Sequence, residues 1–244
     1  MALPTTASLD VESPLVHAPD HGHGGDGHGH PTHLQHHFVS SEQQFDAAKL
    51  GMWLFLATEI LLFSGMFVAY TVFRVWHPEV FQEAAHVLDT RMGLFNTLVL
   101  LASSFTVAMA INSIQRDDQK ACVRYLLLTI AGALIFLVVK YFEYSSKIAH
   151  GVVPGTNFAP HGEHYAYLAD VRYAKQFFSI YYVATGIHAV HIIAGIGILT
   201  WLTIKAKAGR FSSAWYTPVE LGGLYWHIVD IIWIFLFPLL YLIH

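Results

Sequence analysis

Eight ionisable side chains stand inside or at the edges of long apolar stretches: Glu59, Lys140, Glu143, His188, His191, Glu220, His227 and Asp230. Glu59 lies within KLGMWLFLATEILLFSGMFVAYTVF, where no other charge occurs between Leu50 and Phe73. On a helix it falls roughly 12 Å beyond Gly51. A carboxylate at that depth costs ~2.5–3.5 kcal/mol on insertion scales, so it must face protein or water rather than lipid. It can be a proton-linked group or a protonated carboxyl bridging helices. Lys140 and Glu143 are three residues apart, a spacing that lets them pair on one helix face. A structural ion pair or a proton relay would use that spacing. His188 and His191 share one helix, and His227 and Asp230 another, with Glu220 two turns before His227. Bis-histidine haem ligation needs imidazoles on facing helices, which His188 or His191 with His227 could supply. A carboxylate-bridged di-iron site needs two Glu-x-x-His pairs. Glu83-Ala-Ala-His86 is the single one here, and it reads as a loop, which argues against di-iron. Interhelical hydrogen bonding is the leading reading of the histidines.

These residues require helices to carry them. Only 12% of the 244 residues are charged and 55% are hydrophobic, against about 25% charged in soluble domains. Apolar stretches at about 47–75, 93–113, 122–146, 176–204 and 219–243 are each long enough to cross a bilayer. In lipid, continuous runs of this kind must be helical to satisfy the backbone. The reading is all-α: an integral membrane bundle of five transmembrane helices. Small residues such as Ser103, Gly132, Gly195, Gly222 and Gly223 permit close helix contact. The side of the N-terminus holds Lys49, Arg116, Lys120, Arg124, Lys205, Lys207 and Arg210. The other side holds Arg74, Arg91, Lys147, Arg172 and Lys175. This bias predicts the N-terminus inside and the C-terminus outside. The longest outer loop, about 147–175, is rich in Gly, Pro and Asn and reads as an irregular lid.

Residues 1–44 read as a disordered Gly/His-rich cytoplasmic tail and 45–244 as the membrane domain. The tail lacks the aliphatic content needed to offset chain entropy. His21, His23, His28 and His30 could bind divalent metal adventitiously, but their Gly-interrupted spacing argues against a defined site. No basic n-region precedes an apolar segment, so no cleaved signal is expected. A single cysteine, Cys122, excludes an internal disulfide framework. No basic stripe suggests nucleic acid. No nucleophile–base pair or phosphate loop is evident.

The blocks KLGMWLFLATEILLF, NTLVLLASSFT, KYFEY, ATGIHAVHIIAG and YWHIVDIIWIFLF, in this order and spacing, resemble subunit III of haem–copper cytochrome c oxidases. The resemblance covers about residues 45–244. It implies a core subunit of a proton-pumping terminal oxidase that itself carries no haem or copper. Such a subunit packs on subunit I, which reduces dioxygen, while cytochrome c delivers electrons through subunit II. It implies bound phospholipid, support of proton uptake, small-subunit partners and membership of a larger respiratory supercomplex as a further prospect. Glu59 matches the family's buried, carbodiimide-reactive carboxyl. Glu143, His188, His191, Glu220, His227 and Asp230 match shared positions. Longer members have seven helices, and this chain matches the last five, the short form. Quinol oxidase subunits and accessory proteins of nitric oxide reductases share that form, but tend to carry Asp at the position of Glu59. The tail suggests a bacterial protein of the cytoplasmic (inner) membrane. From another class, a proton-coupled secondary transporter would use Glu59 and Asp230, but no internal repeat supports it.

Overall fold

The computed structural model describes residues 40–154 and 158–243. Its helices are α1 (Ser41–Trp76), α2 (Pro78–Ala85), α3 (Thr90–Gln115), α4 (Gln119–Ala149), α5 (Ala174–Lys207) and α6 (Thr217–Tyr241), with a 3₁₀ turn at Ala166–Ala169. Five of them, all but α2, are long and apolar enough to span a bilayer. No strand occurs among the described residues. α1 starts at Ser41, so the last residues of the expected tail are helical. The tail histidines lie outside the described residues. α2 is a correction: Glu83 belongs to a short helix led by Pro78 rather than to a loop, and His86 caps that helix. Pro at the first helical position loses no hydrogen bond and presets φ.

Helix starts follow local capping. The Asp89 carboxylate accepts from the Arg91 and Met92 amides at 2.9 and 3.2 Å. Asp118 accepts from the Ala121 amide at 2.9 Å. Both satisfy amides that a helix start otherwise leaves open. Between α3 and α4, Asp117 adopts φ 59°, a left-handed conformation that Asp tolerates better than most residues. Its carboxylate accepts from the Ser213 amide and hydroxyl, each at 2.7 Å. Those two donors, the amide first, hold the exposed Asp117 carboxyl below the usual carboxylate range. The contact ties the α3–α4 turn to the α5–α6 loop.

α6 is the axle. In its most apolar window 56% of residues are buried, against 11% for α1. α3 and α4 pair most extensively, α6 packs on α3 and α5, and α1 lies at the rim against α5 and α6. Close approach to α6 needs missing side chains. A Cβ at Gly195 would come within 2.7 Å of the Trp226 ring, and one at Gly223 within 2.6 Å of Ile111. Trp226 is fully buried and donates to the Ser103 hydroxyl at 3.0 Å, so it cannot step aside. Gly195→Ala is therefore expected to destabilise the bundle by about 1–3 kcal/mol through overpacking. A thermal melt of the purified protein unchanged from wild type would refute that.

Near the far end of the bundle Pro238 sits inside α6. It has no amide to donate, which loosens the last turn. The freed segment is tied down laterally. The Tyr70 hydroxyl donates to the Leu239 carbonyl, and the Thr90 hydroxyl donates to the Tyr241 carbonyl at 3.2 Å. The described part of the loop, residues 150–154 and 158–173, covers this end, with Val152 and Leu168 completely buried. The Tyr167 hydroxyl fastens it to the Glu83 carbonyl at 2.8 Å.

Candidate functional site

Two polar centres dominate the bundle. The first links α1 to α5 at mid-helix. Glu59 Oε2 lies 2.7 Å from His191 Nε2. Their side chains are 14% and 16% exposed, so bulk water barely reaches them. His191 Nδ1 lies 2.8 Å from the Ile187 carbonyl. A carbonyl can only accept, so Nδ1 carries a proton. Nε2 then faces Glu59 in one of two equivalent ways. Either a neutral imidazole accepts from a protonated carboxyl, or an imidazolium donates to a carboxylate. Either way one short hydrogen bond joins α1 to α5 at this pair. Tyr225 from α6 donates to the His191 carbonyl at 3.0 Å, and Phe63 sets its ring edge against the imidazole.

The second centre lies at the other end of the bundle, near the C-terminal ends of α4 and α6 and the start of α5, and is built on Glu143. Lys140 Nζ reaches Glu143 Oε2 at 2.9 Å, and Lys147 Nζ reaches Oε1 at 2.8 Å. Tyr181 and Tyr241 donate to Oε1 at 2.8 and 2.7 Å. They accept from Lys140 at 3.1 and 2.9 Å. Lys140 Nζ also sits 5.0–5.5 Å from the ring centroids of Tyr144, Tyr181, Trp233 and Tyr241. Aromatic faces attract a desolvated cation. All three charged residues are at most 4% exposed. Two ammonium groups thus share one carboxylate, and the tyrosine hydroxyl oxygens and aromatic rings around Lys140 offset the surplus positive charge.

Spacing along the chain missed three of these partners, Lys147, Tyr181 and Tyr241. Lys147 is not an outer-loop residue but a buried one, one turn after Glu143. Its 4-residue offset from Glu143 was the available signal. Tyr241 resembles an interfacial belt residue in sequence, yet its hydroxyl points inward.

The other residues stand apart. His188 is fully buried, with no hydrogen bond to either ring nitrogen. It stacks on Trp233 at 5.1 Å and meets the Phe136 ring edge at 5.4 Å. Hydrogen bonding across helices, expected for all three helix histidines, therefore holds for His191 and His227 only. His227 Nδ1 contacts the Ser104 hydroxyl at 2.6 Å. Asp230 is buried without a hydrogen-bonded oxygen. Ser104 stands beside it, but its short contact runs to His227. Glu220 bonds Lys49 at 3.3 Å near the end of the bundle that holds the N-terminus. That pair is partly exposed and is worth at most about 1 kcal/mol.

For ligation, a histidine needs a free ring nitrogen. Both nitrogens of His191 are engaged, and His227 has one engaged. No group of three or more His, Cys, Asp or Glu side chains suited to a metal occurs among the described residues. The site joins helices. It presents no nucleophile with an attendant base.

The family model of cytochrome c oxidase subunit III matches residues 31–244. The chain belongs to the cytochrome c oxidase subunit III family. Among similar proteins, cytochrome c oxidase subunit 3 of Thermostichus vulcanus is 30% identical over 199 residues, covering 81% of this chain and 88% of that one. The subunit 3 of a Synechocystis species is 30% identical over 240 residues, covering 98% and 86%. A haem–copper oxidase subunit I+III of Aeropyrum pernix is 31% identical over 205 residues, covering 81% of this chain. The match spans only 23% of that longer protein. As a subunit III family member the chain is a multi-pass membrane protein and a component of a haem–copper oxidase. The first-centre pair Glu59–His191 lies in the blocks that carried the resemblance.

Proposed function

We propose that this chain is the non-redox subunit III of a proton-pumping, haem–copper cytochrome c oxidase in a bacterial cytoplasmic membrane. It packs on and stabilises subunit I, where haem and copper reside, and its N-terminus faces the cytoplasm. The observation that carries this reading is the family match over residues 31–244, with a relative named for subunits I and III together.

The geometry supports a packing role. Gly51 and Gly65 on α1, and Gly186 and Gly197 on α5, have nothing within 4 Å of where a Cβ would stand. Gly186 and Gly197 are 11 positions apart, close to three turns, so both lie on one face. Glycine within a helix costs about 1 kcal/mol relative to Ala. The chain's own packing does not require it at these four positions. Small residues are what a neighbouring membrane helix needs for close contact. In this reading an open apolar groove of about 190 Å³, lined by Met66, Ala69, Ser179, Ile180 and Val183, takes a lipid chain. The Glu59–His191 pair supports proton uptake by keeping a proton available within the bundle.

Affinity purification through a tag on this chain tests the proposal. A haem- and copper-bearing large subunit in equal amount, with cytochrome c oxidation by the preparation, is expected. Oxidation of quinol instead of cytochrome c would move the chain to the quinol branch. Recovery of this chain alone, transporting solute in vesicles, would refute the proposal.

A further inference from the structure

We infer that His150 and His161, in the loop between α4 and α5, form an exchangeable binding site for a divalent transition-metal ion of the zinc type. His150 caps the C-terminus of α4. Two backbone bonds bring His161 back beside it. The His161 amide donates to the His150 carbonyl and the Ala159 amide to the Gly151 carbonyl, each at 3.0 Å. The two ring centroids are 6.2 Å apart. Two imidazoles on one zinc, each with a Zn–N bond of about 2.0–2.1 Å, have ring centres roughly 5–6.5 Å apart.

Both rings are prepared for ligation in the same way. His150 Nδ1 lies 2.7 Å from the Ser146 carbonyl, and His161 Nδ1 lies 3.1 Å from the Ala159 carbonyl. A carbonyl only accepts, so each Nδ1 carries a proton, and the neutral ring keeps its lone pair on Nε2. A metal-bound histidine has the same arrangement, with its second nitrogen donating to a carbonyl or carboxylate. Neither Nε2 has a partner among the described residues. Tyr165 stacks on the face of His150 at 4.6 Å. A metal binds in the ring plane, so the stack orients the imidazole and leaves Nε2 open. A Cβ at Gly162 would stand 3.7 Å from His150 Nε2 and 3.1 Å from its Cδ2, and one at Gly151 would stand 2.9 Å from His161 Nδ1. These glycines have φ of 92° and 73°, a region that glycine enters at little cost. The backbone thus passes both rings at points where a side chain would crowd them. Imidazole nitrogens favour zinc, copper and nickel over magnesium and calcium. No third His, Cys, Asp or Glu side chain completes a metal-holding group among the described residues. Water therefore fills the remaining positions, and the ion exchanges with solvent. When bound it fastens the loop to the end of the helix that carries Glu143. The inference uses the loop alone and does not depend on which complex the chain joins.

The test uses the full-length protein in the complex with which it is extracted, cleared of loosely held divalent ions by a chelator that is then removed. Diethyl pyrocarbonate acylates imidazole nitrogens open to solvent, and peptide mass spectrometry reads His150 and His161 separately from the histidines near the N-terminus. Micromolar zinc is expected to protect His150 and His161 together, and magnesium to protect neither. Losing even an outer-shell partner of a metal costs about 10–100-fold in affinity. In His161→Gln the zinc needed to protect His150 should therefore rise at least tenfold, and His150→Gln should do the same to His161. His164→Gln should leave protection of both unchanged. Protection of one histidine that survives loss of the other would overturn the inference, and so would no protection of either by zinc. Failure of His150 or His161 to react in the zinc-free complex would overturn it too, since its nitrogen would then be covered. The protection of the unsubstituted protein decides the matter if a variant melts differently.

Discussion

Glu143→Leu is expected to destabilise the bundle by about 3–5 kcal/mol, because it strands two buried ammonium groups. Among the described residues the carboxylate is the one anion paired with Lys140 and Lys147, at 2.9 and 2.8 Å. Its Oε1 also collects the Tyr181 and Tyr241 hydroxyls, so α4, α5 and α6 converge on a single atom. Loss of the residue should appear as a lower melting temperature and as poor recovery of assembled complex. The physical cause can be separated from simple cavity formation. Removing both cations as well, in Glu143→Leu with Lys140→Met and Lys147→Met, should restore much of the stability, since apolar replacement of a buried ion network is often near neutral. A triple variant no more stable than Glu143→Leu alone would show that shape, not stranded charge, sets the cost.

Glu59→Gln should leave the fold intact and change proton-coupled behaviour. A neutral His191 keeps its Nδ1 proton on the Ile187 carbonyl and can accept from the Gln amide at Nε2. The hydrogen bond between α1 and α5 thus survives, within about 1 kcal/mol of wild-type stability. The proton proposed for the pair does not survive. Sustained turnover of the complex should fall several-fold, or its inactivation during turnover should accelerate by a similar factor. Glu59→Asp, which keeps the ionisable group, should fall between. His191→Asn should resemble Glu59→Gln, and the double variant should be no worse than either single one, as expected for residues acting as one unit. Turnover, pumping and inactivation all unchanged in Glu59→Gln would leave the pair a packing role only.

Much of the architecture was legible in residue order because membrane spanning imposes length and apolarity. All five spans were found within a few residues of α1, α3, α4, α5 and α6. Most of their ends extend beyond the apolar runs, since caps such as Asp89 and Asp118 and basic ends such as Lys205 and Lys207 continue the helix into polar surroundings, whereas α6 stops at Tyr241, two residues short of the expected end. α2 escaped notice because eight residues leave too short a pattern to separate from a loop. The Lys140–Glu143 pairing follows from helical periodicity. The convergence of Tyr181 and Tyr241 on it does not, because it depends on how α5 and α6 pack. The same limit applies to His188, whose neighbours Trp233 and Phe136 turn a polar residue into an aromatic packing unit. Glu59 was legible as a residue facing protein, and its partner had to be read from the packed bundle.

The claim under all of this is that the submerged acids and imidazoles bind helix to helix and hold a proton, while electron transfer belongs to a neighbouring subunit. An optical spectrum of this chain after separation from its purified complex tests that most directly. The account predicts no Soret band in the isolated chain and the full haem complement in the remaining large subunit. A stoichiometric haem that stays with this polypeptide and is lost on replacing His188 or His227 would contradict it.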